Sequence, residues 1–157
     1  MSEQTEGVVL SEASDHILKI IISNPTKKNA FHPDMMLQLS NALTELNNNQ
    51  DLWVGVITAE GENFTAGLDM PKFFGPNANP TPIPETNINA FGLGNVCSKP
   101  IVTAVQGICF TIGIEMNFMI NASEYGRAYK LSRPSLEKVW ADIEKGALDQ
   151  LQELKAA

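Results

Sequence analysis

The sequence predicts an α/β fold in which strands and a helix alternate around one buried strand. Three observations carry that prediction. Ile17-Leu-Lys-Ile-Ile-Ile22 and Leu52 to Thr58 are β-branched and apolar, as strands are. Between them Pro33 opens a segment in which Met36, Leu39, Leu43 and Leu46 recur at spacings of three and four, one apolar face of a helix. Strand, helix, strand in that order points to a right-handed crossover and a parallel pair. Third, Lys99-Pro-Ile-Val-Thr-Ala-Val-Gln-Gly-Ile-Cys-Phe-Thr-Ile-Gly-Ile-Glu-Met116 reads as a buried strand, a tight turn and a helix entry.

In order along the chain, Val8 to Leu10 and His16 to Ser23 are expected strands joined by a turn over Ser11 to Asp15. Asn24-Pro-Thr-Lys-Lys-Asn-Ala-Phe31 is turn-rich and carries adjacent lysines, Lys27 and Lys28, which taken alone read as solvated loop charges. The helix from Pro33 ends at Asn47-Asn-Asn49, and the strand to Thr58 runs into Ala59-Glu-Gly-Glu-Asn-Phe-Thr-Ala-Gly-Leu-Asp-Met70. Small residues at Ala66 and Gly67 let backbone approach a ligand, or serve loop geometry alone. Loops beyond strand C-termini are where open α/β sheets bind ligands. Pro71 to Pro84 is an irregular, mobile surface loop on this reading, and Glu85 to Val96 is read as a helix weakened by Gly92 and Gly94. In the Lys99–Met116 stretch Pro100 suits the mouth of a strand, Ile101 to Val105 form it, and Gly107 takes the turn. Glu115 follows in the first turns of a helix among Ile112, Ile114, Met116 and Phe118. A carboxylate there is either a soluble complement to the helix dipole or a proton-transfer group in an apolar pocket. Asn121 to Leu131 is polar, and Pro134 starts a final helix whose apolar face runs from Leu136 through Trp140 to Leu154.

Composition bounds the function. A chain of 157 residues, 43% hydrophobic and 18% charged, can bury a domain-sized core. A net charge of −7 argues against a nucleic-acid surface but leaves room for a local lysine site for an anionic small molecule. Cys97 and Cys109, with His16 and His32 far apart, make neither a zinc site nor a disulfide framework. The polar N-terminus is unlike a signal peptide, and no apolar run is long enough to span a membrane. A reduced cytoplasmic protein is expected.

Three segments together resemble the crotonase family, the enoyl-CoA hydratases and isomerases. Asn24-Pro-Thr-Lys-Lys-Asn-Ala-Phe31 is similar to the family's Asn-x-Pro-x-Lys-x-Asn-Ala pattern. Glu62-Asn-Phe-Thr-Ala-Gly-Leu-Asp-Met70 resembles its Phe-Ser/Thr-Ala-Gly-x-Asp loop, and Lys99-Pro-Ile-Val-Thr-Ala-Val-Gln-Gly107 its Lys-Pro-x-Ile-Ala-Ala-Val-x-Gly strand. The resemblance covers approximately Val8 to Asn121. It implies a spiral of ββα units, an acyl-CoA thioester as ligand, and an oxyanion hole of two backbone N–H groups. By that likeness Leu68 matches the first donor and Ile112 the second, where the family usually has glycine. Ala66, Leu68 and Met70 fall where the family's loop walls the adenine, and Lys27 and Lys28 where basic side chains approach the coenzyme A phosphates. Glu115 matches one of two glutamates that orient or activate water, and burial among its apolar neighbours is expected to raise its pKa. No separate cofactor is implied, since coenzyme A arrives as part of the substrate.

Two departures qualify the likeness. Thr111-Ile-Gly-Ile114 replaces a run of glycines, and after Asn121 no Pro-Glu segment supplies the second acid. The chain reads as internally shortened, a spiral core over 1–121 followed by a divergent linker and terminal helix over 122–157. Apolar surface left open by that shortening favours association, so a homo-oligomer is expected. Two functions follow: an enoyl-CoA hydratase/isomerase working through an enolate-like intermediate, or a catalytically impaired paralogue that binds acyl-CoA or assembles with other subunits.

Overall fold

The computed structural model describes residues 7–90 and 94–117. Expectations for the Phe118–Ile120 face, the 121/122 boundary, the linker and the helix from Pro134 lie outside the described residues. So does residue 91–93 of the expected Glu85–Val96 helix.

Four strands form one sheet in the order β1 (Val8–Ser14), β2 (Ile17–Ser23), β3 (Val54–Ala59), β4 (Ile101–Thr103). β1 and β2 pair antiparallel, whereas β2 with β3 and β3 with β4 are parallel. The hairpin is tighter than the sequence suggested. Only Asp15 and His16 form its turn, with φ of 48° and 68°. Positive φ at both central residues gives a turn whose twist matches that of the flanking strands, so β1 continues through Ser14.

Helix α1 (Pro33–Asn48) links β2 to β3 and packs on one face of the sheet. Leu18, Ile20 and Ile22 alternate inward and meet Leu39, Leu43 and Leu46, with Ile57 and Ile101, in the buried core. The helix face differs by one residue from expectation at its start: Met35 is fully buried and Met36 only packs at the margin. On the opposite face Ile17, Lys19 and Val102 are exposed. The helix C-terminus is held by Lys99, whose Nζ donates to the Asn49 carbonyl and, at 2.7 Å, to that of Leu52. A cation at that end also complements the helix dipole.

Residues 85–90 and 94–96 do not form the expected helix. Ile88 instead bridges Asn95, and its backbone is satisfied by α1 side chains. Ser40 Oγ donates to the Ile88 carbonyl at 2.8 Å, and the Ile88 N–H donates to Thr44 Oγ1 at 2.9 Å. The proline-rich segment is likewise fastened to α1. It begins with the short helix α2 (Met70–Phe74), and Thr81 Oγ1 donates to Asp34 Oδ1 at 2.5 Å. Side-chain anchors of this kind replace the regular ladder that prolines deny the chain. Strand β4 stops at Thr103, and residues 112–117 are helical.

Candidate active site

The segment 24–31 and the loop 60–70 are locked together by one buried asparagine. Asn29 has φ 56°, a conformation asparagine tolerates better than most residues. Its Nδ2 donates to the Glu60 carbonyl at 2.8 Å and the Asn63 carbonyl at 2.7 Å, while its Oδ1 accepts the Asn24 N–H at 2.7 Å. The Asn-Ala pair of the first motif is therefore structural, a clamp on the turn after β3. Thr65, also fully buried, donates its hydroxyl to the Asn29 carbonyl at 2.6 Å.

This clamp sets the path of the Ala66–Met70 loop. The Ala66 N–H donates to the Lys28 carbonyl at 2.8 Å. Leu68 then lies beside Phe31 as an isolated parallel bridge, with Phe31 N–H on the Gly67 carbonyl and Asp69 N–H on the Phe31 carbonyl, at 2.8 and 2.7 Å. In that pattern the flanking groups face Phe31, and the Leu68 N–H points to the other side. Among the described residues it meets no acceptor.

Across from it, the chain after β4 turns at Gly107, whose φ of 56° and closeness to the Glu62 carbonyl leave no room for a side chain. Thr65 bridges Cys109, and the Phe110 N–H donates to the Thr65 carbonyl at 3.0 Å. Thr111 has φ 43°, unusual for a β-branched residue. Its Oγ1 stands where a Cβ on Gly67 would be, and Gly67 itself has φ 102°. The residues immediately before Leu68 and Ile112 are thus in direct contact. The Ile112 N–H also has no acceptor among the described residues. The first N–H groups of any helix are unpaired in this way, and an N–H on the outer side of a single bridge is unpaired as on a sheet edge; here the two fall on neighbouring segments.

The remaining expected residues divide. Ala66 and Leu68 are half-buried, Ile112 is buried, and Met70 is exposed at the start of α2. Lys27 is engaged within the protein, its Nζ 2.7 Å from Asp69 Oδ2. Lys28 is exposed, and its ammonium has no partner among the described residues. Glu115 departs from expectation. Ile112 and Met116, four residues apart, form the buried stripe of the helical turn, and Glu115 is exposed beside Ile114. Its apolar sequence neighbours face elsewhere and do not enclose it. Burial does raise one nearby group: it pushes the Cys109 thiol above its ordinary value, partly offset by the Asn117 amide. Asn29 and Asp69, which shape the site most directly, stand inside the quoted motifs, yet only folding shows what they hold. Among the described residues no three His, Cys, Asp or Glu side chains converge as a metal site. No helix of the described residues is long and apolar enough to cross a membrane.

Residues 12–127 match the family model for enoyl-CoA hydratase/isomerase. The chain belongs to that family. It is 31% identical over 115 residues to mevalonyl-coenzyme A hydratase sidH of Aspergillus fumigatus, covering 71% of this chain and 42% of that one. A hydroxycinnamoyl-CoA hydratase-lyase of Pseudomonas fluorescens is 30% identical over 105 residues, covering 63% of this chain and 38% of the relative. Among solved structures, a probable enoyl-CoA hydratase/isomerase from Mycobacterium abscessus superposes with a TM-score of 0.64 at 34% identity, covering 71% of this chain and 44% of that one. This family member therefore has a crotonase-like α/β fold, and the chain spans less than half the length of the relatives it matches.

Proposed function

We propose that this chain binds an acyl-CoA thioester and stabilises enolate-like charge on the thioester oxygen with the Leu68 and Ile112 N–H groups. The observation that carries the reading is the orphaned Leu68 N–H, held beside the start of the 112–117 helix by the Gly67–Thr111 contact. Donors fixed by backbone geometry need no reorganisation as charge develops, and one such donor is typically worth about 10²–10³ in rate. Backbone donors also tolerate Ile112 where the family usually has glycine, and its side chain is taken up by the core. Ala66 and Met70 would wall the coenzyme, and an exposed lysine on the 24–31 segment would meet its phosphates. Coenzyme A comes with the substrate, so no separate cofactor is proposed.

In this reading Glu115 is the acid that handles water or a proton, and its exposure favours the second reading: binding of acyl-CoA, or assembly with other subunits, without turnover. General acid–base work depends on a group held within reach of its proton and tuned by its surroundings. Exposed Ile17 and Val102, on the sheet face that also carries Lys19, supply apolar surface that favours an oligomer, and a reduced cytoplasm is the proposed setting.

The test is turnover of a short enoyl-CoA, followed by loss of the conjugated thioester absorbance. The catalytic reading expects turnover in the wild type and its loss in Glu115→Gln. Equal rates in both would remove Glu115 from the mechanism. No turnover with retained coenzyme A binding by folded protein would leave the binding reading.

A further inference from the structure

Adjacent lysines of like exposure would ordinarily be interchangeable as contacts for an anion. Here they are not, because one of them answers a carboxylate. Asp69 is only 10% exposed, while its partner Lys27 is 53% exposed. A carboxylate so placed gains from a counter-charge, and a lysine half in water supplies one at the modest strength of a surface pair. Lys27 Nζ lies 2.7 Å from Asp69 Oδ2, close enough for a charge-assisted hydrogen bond. Lys27 could therefore reach for a phosphate only by abandoning Asp69.

Asp69 is also where three segments meet. Its side chain reaches back 42 residues to the 3₁₀ turn Pro25–Lys27, its N–H donates to Phe31 at 2.7 Å, and its carbonyl accepts the Lys72 N–H of α2 at 2.8 Å. Leu68 immediately precedes it, so the peptide bearing the Leu68 N–H is held on one side by the Phe31 N–H on the Gly67 carbonyl and on the other by the anchors of Asp69. Lys28 lies on the opposite footing: left-handed at φ 51°, it gives its carbonyl to Ala66 and leaves its ammonium exposed.

We propose that Asp69 is a positioning residue, latched by Lys27, that holds the 64–70 loop and the Leu68 N–H in place, while Lys28 alone of the two lysines meets the ligand's anionic groups. The Lys28 half rests on the acyl-CoA reading; the latch does not. A loop so fastened is ordered before any ligand arrives, which spares binding the cost of ordering it.

The experiment is hydrogen exchange of the full chain without ligand, read on peptides covering 64–72 and on β2 and β3, with coenzyme A affinity measured by calorimetry. Lys27→Met and Asp69→Asn should each speed exchange in 64–72 by about tenfold while β2 and β3 keep their protection. Lys27→Arg should restore it. Lys28→Met should leave exchange as in the wild type and weaken coenzyme A by about tenfold, the loss of one charge-assisted contact. Unchanged exchange in Lys27→Met overturns the latch, as does faster exchange spread equally over β2 and β3. Lys27→Met and Lys28→Met weakening coenzyme A alike, with exchange unaltered, would make both lysines ligand contacts. Should the wild type bind no coenzyme A, the acyl-CoA reading and the role of Lys28 fail together, while the exchange result still decides the latch.

Discussion

Replacing Gly67 by alanine tests the contact that brings the candidate donors together. A side chain at φ 102° is strained whatever space surrounds it, costing about 1–2 kcal/mol by the usual left-handed penalty. The added Cβ would also overlap Thr111 Oγ1, and it would lie 3.6 Å from Thr111 Cβ and 3.8 Å from the Phe110 carbonyl. The Thr111 backbone cannot withdraw freely, so relief falls to rotation of its hydroxyl. The hydrogen bonds Phe110 N–H to Thr65 and Gly113 N–H to Phe110, at 3.0 and 2.9 Å, hold its backbone on either side. Overpacking of that kind costs about 1–3 kcal/mol. The sum, about 2–5 kcal/mol, is a large part of the 5–15 kcal/mol that a domain has in total. With a urea m-value of about 2 kcal/mol/M, the unfolding midpoint should fall by about 1–2.5 M. Gly94→Ala is the control: no atom stands within 4 Å of the added Cβ, so its stability should stay within about 0.5 kcal/mol of wild type, a midpoint shift of about 0.25 M. Adding Thr111→Gly to Gly67→Ala should recover the steric part but not the dihedral part, a coupling that a double-mutant cycle measures. A Gly67→Ala midpoint equal to that of Gly94→Ala would refute the Gly67–Thr111 contact, and with it the placement of the two N–H groups.

Two further outcomes follow from the same geometry. Asn29→Ala would strand the buried Asn24 N–H and unpair the partly buried Glu60 and Asn63 carbonyls, so a loss of about 2–3 kcal/mol is expected by thermal unfolding. A melting temperature within a few degrees of wild type would show that the clamp is dispensable. For Cys109, burial disfavours the thiolate, so the thiol stays protonated at a pH where a free thiol has begun to ionise. Its alkylation by iodoacetamide, read on the Cys109 peptide, should lag that of glutathione at pH 8 and keep rising at more alkaline pH. A rate matching glutathione across that range would contradict the raised thiol.

Local chemistry was enough to read the strands at β2 and β3, the helix from Pro33 and the turn at Gly107, because alternation, three-and-four spacing and glycine freedom act over a few residues. The three motifs also carried the family. Where sequence reasoning missed, partners distant along the chain had intervened. The Glu85–Val96 helix gave way to a bridge because Ser40 and Thr44, more than forty residues away, satisfy the Ile88 backbone. The hairpin tightened to Asp15–His16 because pairing with β2 extends β1 to Ser14. Glu115 kept its place on the helix but not its expected burial, since which side of a turn faces the core is set by what packs against Ile112 and Met116. The two lysines show the division most sharply. In sequence Lys27 and Lys28 are equivalent charges in one loop. Folding sets Asp69 beside the first and leaves the second exposed. A residue's type is written locally, but its electrostatic partner is fixed only when distant segments meet.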